Sequence, residues 1–189
     1  DWSSDVCSSD LWYCSGLPGG EGRVSARAVS IANVGAEPAT VEVSRLDAGA
    51  LTDERDRIEV PPHTVLNREV GAAPVIVQPF SPDVVVEHAV VSDDDIALGP
   101  CATGTSPTWF FPMGSTVKGA TQTLALLNPS SSDAVVDISL VTRDGTREPS
   151  KLQGVDVPRL SQADLIDIGA FARRDPVVAT IVRARTGQV

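Results

Sequence analysis

Apolar side chains fall at every second position on either side of a polar turn between Thr121 and Gly145: Leu124 and Leu126 before it, Val136, Ile138 and Leu140 after it. Period two is the signature of a half-buried strand. Asn128-Pro129 and the three serines that follow supply the reversal between the two strands. The pattern recurs more weakly in Val29-Ser30-Ile31-Ala32-Asn33 and Val41-Glu42-Val43. Asn128 repeats Asn33 at an offset of 95 (128 − 33 = 95), and Val136 and Ile138 repeat Val41 and Val43 at the same offset. The pattern predicts one β-unit present twice.

Taken in order, the first unit opens at Trp12-Tyr13-Cys14 and continues with strands over 23–33 and 39–46. The polar stretch Asp47 to Arg57 is expected to contain a loop. Strands at 58–60 and 63–70 are separated by Pro61-Pro62, and a hairpin runs 75–80 and 84–91, with a turn at Asp93-Asp94-Asp95 and an exit through 96–101. The second unit opens at Thr108-Trp109-Phe110-Phe111-Pro112, with strands expected over 121–128 and 134–142. Val155-Asp156-Val157-Pro158 echoes Glu59-Val60-Pro61, Leu165 to Gly169 echoes Asn67 to Gly71, and Ile181-Val182-Arg183 echoes Ile76-Val77-Gln78 at an offset of 105 (181 − 76 = 105), so Phe171 to Val178 is read as an insertion. In that register the chain stops where the last strand of the second unit should begin. Leu160 to Ala172 is the best helix candidate, and its echo in the first unit reads as strand.

These elements define the expected fold class: all-β, two tandem immunoglobulin-like or fibronectin-like sandwiches from an internal duplication, the second incomplete. The expected domains are 12–101 and 108–189, with 102–107 as a Gly/Ser/Thr/Pro linker. The chain's 189 residues, 42% hydrophobic, suffice for two small cores, and with only 4% aromatics those cores must be built from Val, Ile, Leu and Ala. A net charge of −10 opposes binding to nucleic acid or to an anionic membrane surface.

Asp1 to Leu11 has neither an apolar period nor a counterpart in the second unit. It resembles the conceptual translation of a sequencing adapter and is set aside from fold reasoning. Cys7 leaves the cysteine count with it, and a preceding signal or membrane anchor remains open.

Candidate chemistry is sparse. Cys14 and Cys101 flank the first unit, either as a disulfide closing it or as two separate buried thiols, and their spacing does not suit zinc. Asp93, Asp94 and Asp95 lack the pattern of a calcium loop and read as a solvated turn. The two histidines, His63 and His88, lie in no catalytic motif, and His88 shares a strand face with Val86 and Val90. Trp12, Trp109, Phe110 and Phe111 are either sugar-stacking platforms or, given their repeated position, aromatic plugs at the end of each sandwich. No nucleophile elbow, zinc-protease helix or phosphate-cradling glycine loop is present, so no catalytic residue, cofactor or metal site is expected.

Several stretches together resemble a known family: Trp12 to Gly16, Val84 to His88, Pro100-Cys101-Ala102, Ser106 to Pro112, Leu126 to Pro129, Asp133 to Asp137 and Arg147-Glu148-Pro149. The family comprises uncharacterised actinobacterial secreted or cell-surface proteins and is designated domain of unknown function 5719. The resemblance implies tandem β-sandwich ectodomains behind an N-terminal anchor or signal, an extracellular or cell-envelope location that fits a Cys14–Cys101 bridge, and no established activity. The expected role is a non-catalytic structural or protein-interaction module with an envelope protein or glycan as partner. Membrane contact would come only through an anchor outside this sequence, and the alternative role is a carbohydrate-binding module.

Overall fold

The computed structural model describes residues 11–16, 24–47, 49–92 and 96–189, and they form an all-β chain. The expectations for Asp1 to Asp10 and for the Asp93-Asp94-Asp95 turn lie outside the described residues. The chain divides into two compact units between Gly104 and Thr105.

The first unit holds strands β1 (Trp12–Cys14), β2 (Val24–Asn33), β3 (Ala39–Asp47), β4 (Ala50–Val60), β5 (Thr64–Glu69), β6 (Val75–Pro79), β7 (Val84–Ser92) and β8 (Ile96–Pro100). They make two four-stranded antiparallel sheets, ordered β1-β6-β3-β4 and β5-β2-β7-β8. Alternation decides which side chains meet between them. Val29 and Ile31 of β2 and Val84 and Val86 of β7 form one core with Val41 and Val43 of β3 and Val75 and Val77 of β6. Burying each such β-branched side chain is worth roughly 1.5–3 kcal/mol. The polar stretch expected to hold a loop is mostly strand: β4 pairs with β3 from Ala50 to Val60, and the turn is confined to the residues around Gly49, whose φ is +82°. Its polarity reflects its place at a sheet edge, where charge blocks pairing with other chains. Arg55 pairs with Glu42 on the neighbouring strand at 3.1 Å, and Asp56 forms an ion pair with Arg68 of β5, in the opposite sheet.

The second unit holds β9 (Thr108–Phe111), β10 (Thr123–Leu124), β11 (Leu127–Asn128), β12 (Ala134–Thr142), β13 (Gly145–Arg147), β14 (Val155–Val157), β15 (Ser161–Gln162), β16 (Ile166–Asp167) and β17 (Ala179–Thr186). A five-stranded sheet runs β13-β12-β17-β9, with β14 also pairing β12, and two short ladders, β10-β16 and β11-β15, stand apart from it. The single strand expected over 121–128 is therefore broken. The ladder is interrupted between Leu124 and Leu127 and on its partner between Gln162 and Ile166, where the Ala163 amide donates to the Leu126 carbonyl at 2.9 Å. Leu160 to Ala172, the best helix candidate in a sequence where no window supports a long amphipathic helix, holds β15, β16 and a single 3-10 turn at Ile168–Ala170.

Strand order repeats in one sheet of each unit, β1-β6-β3-β4 being matched by β9-β17-β12-β13, whereas the four-stranded β5-β2-β7-β8 is answered by two short ladders. Trp12 and Val43 flank Val77 across the first sheet, as Trp109 and Ile138 flank Val182 in the second unit. Asn33 faces Thr64, and Asn128 faces Ser161. The two buried asparagines also do the same work. Asn33 Nδ2 donates to the carbonyls of Glu37 (2.8 Å) and Val60 (3.0 Å), while its Oδ1 accepts from the amide of Gly35 (2.9 Å). Asn128 Nδ2 donates to Ser132 (2.8 Å) and Val157 (3.0 Å), and its Oδ1 accepts from Ser130 (3.0 Å). Each amide thus holds its own turn and ties the end of its strand to a strand of the facing sheet.

Candidate functional site

The best-defined cluster of chemically capable side chains lies at one end of the first unit. Cys14 ends β1 and Cys101 follows β8, and the structure joins them in a disulfide with Cα atoms 4.6 Å apart. Beside the bridge Tyr13 and Ala102 exchange backbone hydrogen bonds of 2.7 and 3.0 Å. Both sulfur-bearing residues are buried. His88 of β7 sits against the bridge, its Nδ1 4.0 Å from Cys101 Sγ. Gly99, its cross-strand partner on β8, leaves room for the ring: a Cβ there would lie 2.9 Å from His88 Nε2. Burial pushes the His88 imidazole below its ordinary pKa, and the Glu87 carboxylate partly offsets this. The neutral ring is thus favoured, but the sulfur it faces is already bonded and cannot serve as a nucleophile. The adjoining cavity, lined in part by Cys14, Arg27, Val75 and His88, measures about 20 Å³. That is room for one water molecule and not for a substrate.

His63 is explained by its turn. It is exposed, with φ of +54°, a left-handed conformation that His tolerates better than most residues. Leu160 occupies the same place after Pro158 in the second unit, with φ of +47°.

The four aromatics divide into two pairs. Trp12 and Trp109 pack against their respective cores. Trp109 Nε1 donates to the carbonyl of Val189 at 2.7 Å, whereas the buried Nε1 of Trp12 has no partner among the described residues. Phe110 and Phe111 do not plug anything fully: they are 64% and 40% exposed on edge strand β9, so the plug expectation fails for this pair. Alternation accounts for Phe110, which faces out because Trp109 turns inward, whereas Phe111 shares the face of Trp109 and is exposed at the end of the edge strand.

Among the described residues, no three metal-ligating side chains converge. The family described as "Family of unknown function (DUF5719)" matches residues 77–189, more than half of the chain. The chain belongs to this family. The matched span takes in β7, β8 and the whole of the second unit. No curated protein matches the chain. A solved structure described as "Crystal Structure of Thermotoga maritima 1070" is 17% identical, covering 51% of this chain and 95% of its own, at a TM-score of 0.41.

One grouping is invisible to motif reading. Lys118, Arg173 and Arg174 line an open pocket of about 600 Å³ together with Thr116 and Gly169. Lys118 stands far from the arginines along the chain, and no spacing rule connects them. The signal that could have found it is the insertion at Phe171 to Val178, which has no counterpart in the first unit.

Proposed function

We propose that this chain is a non-catalytic structural or protein-interaction module of a secreted or surface-anchored bacterial protein, built as two copies of one immunoglobulin-like β-unit. The observation that carries the extracytoplasmic part is the buried Cys14–Cys101 bridge, since such bonds persist in oxidising compartments and are rare in the reducing cytosol. The duplication is supported by the repeated registers around Val77 and Val182 and by the matching bonds of Asn33 and Asn128. The non-catalytic part is supported by the roles of the reactive residue types: His63 shapes a turn, and His88 packs on a bonded sulfur. The test is protease shaving of intact cells that carry the whole gene with a tag on the second unit. Digestion from outside is expected. Protection until the cells are lysed contradicts the assignment.

A second reading, carbohydrate binding in the cell envelope, is favoured by one observation, the exposed ring of Phe110 on edge strand β9. A glycan array probed with the chain and with F110A decides it. Binding that the substitution removes supports this reading, and no binding at millimolar glycan discards it.

A further inference from the structure

We infer that the second unit carries a binding pocket for a tetrahedral oxyanion, a phosphate or phosphodiester group, held by Lys118, Arg173 and Arg174. The inference is independent of the spacer and glycan readings.

The chain carries 25 acidic residues against 15 basic ones, yet three cations line this one pocket, and no ion pair among the described residues engages any of them. The acids of the same loops are directed to backbone instead. Asp167 Oδ1 accepts from the amide of Gly169 at 2.8 Å, and the buried Asp175 accepts from Val177 through Oδ1 at 3.3 Å. These bonds give both carboxylates a place in the loop walls, and neither forms an ion pair with Lys118, Arg173 or Arg174.

The inserted loop is clamped to Thr116. The Thr116 hydroxyl donates to the carbonyl of Ala172 and accepts from the amide of Asp175 at 3.0 Å. The Thr116 amide donates to the Asp175 carbonyl at 2.9 Å, and Arg174 N–H returns a bond to the Thr116 carbonyl at 3.1 Å. Thr116 is itself buried, so it positions the loop and leaves ligand contact to the cations. This clamp holds Arg174 at φ +55°, a left-handed backbone that non-glycine residues rarely adopt.

The chemistry selects the ligand. Two guanidinium forks and one ammonium, all exposed on the lining of one pocket, offer more donors and more charge than a single carboxylate can use. A phosphate group has the oxygens for bidentate contact with an arginine and a further contact with the lysine point charge. Free phosphate and a phosphodiester polymer share this chemistry, and the experiment separates them.

The test is an amide-resolved NMR titration of the full chain with sodium phosphate, and separately with poly(glycerol phosphate), at matched ionic strength with sodium chloride as reference. Saturable shifts are expected at Gly169, Arg173 and Arg174, with R173Q/R174Q weakening binding about tenfold, the size of a lost charge-assisted pair. Saturation by phosphate identifies a small-anion site, and tighter binding of the polymer identifies a phosphodiester chain as the ligand. If the double variant loses its dispersed β spectrum, K118Q on the separate 117–120 turn takes its place, with a weakening of at least threefold expected. No saturable shift with either anion, equal shifts with chloride, or unchanged affinity in the folded variants overturns the inference.

Discussion

The first unit fastens its opening strand covalently, whereas the second does so with hydrogen bonds. In the first, Cys14 is bonded to Cys101 next to the Tyr13–Ala102 pairing. In the second, Ser106 and Val189 exchange backbone bonds of 3.0 and 3.4 Å, and Trp109 adds its indole N–H to the same Val189 carbonyl. The shared parts, an inward tryptophan and a buried asparagine, are scaffold. The units differ where each has something of its own: a bridge in one, and a clamped, cation-bearing loop in the other. Features outside the strand order that the two units share are where function can be added without disturbing the core.

This contrast sets the largest expected effect. Replacing Cys14 and Cys101 with alanine removes the constraint on a loop of 87 residues' separation, which is worth about 4–5 kcal/mol in the chain-entropy view. Urea unfolding followed at resolved amides of each unit should show that loss in the first unit alone. Equal loss in both, or none in either, breaks the comparison.

Much of the fold is legible in the sequence because alternation is strong where a strand has one buried face. The span of β12 is that of the apolar-polar alternation from Ala134 to Thr142. Legibility fails where burial is not one-sided. Edge strand β4 exposes polar groups and so resembles a loop, and the run Leu126-Leu127-Asn128, buried throughout, conceals a broken ladder. The cysteine pair could be named from position, but His88 beside it and the Lys118–Arg173–Arg174 pocket are products of tertiary contact and leave no local pattern.

The next effect tests what the units share. N33A and N128A each withdraw two amide donors from carbonyls at the sheet seam, costing roughly 1–3 kcal/mol apiece. Thermal melts should place both losses within about 1 kcal/mol of each other, given one common role. A large loss for one and none for the other would separate the two asparagines.

A smaller effect distinguishes the paired left-handed turns. L160G should stabilise the second unit by about 1 kcal/mol, because glycine adopts φ > 0 without the Cβ penalty. H63G should change stability by only a few tenths of that, since His tolerates the region better. Denaturant midpoints check both, and a destabilised L160G contradicts the turn assignment.

The smallest effect is pH dependence in the first unit. His88 has a lowered pKa in the folded state, chiefly through burial, so the unfolded chain binds the extra proton first as pH falls. Stability is then full above the ordinary histidine pKa of about 6.5 and declines as pH drops below it toward the folded value. H88Q should flatten that slope in the first unit and leave the second unchanged. An unaltered slope assigns the acid sensitivity to other groups.

The common plan of the two units is tested most directly by cross-strand NOE measurement on the intact chain. The account predicts contacts that place Trp12 and Val43 on either side of Val77, and Trp109 and Ile138 on either side of Val182. A register shifted by one residue in either unit would turn its apolar face outward and contradict it.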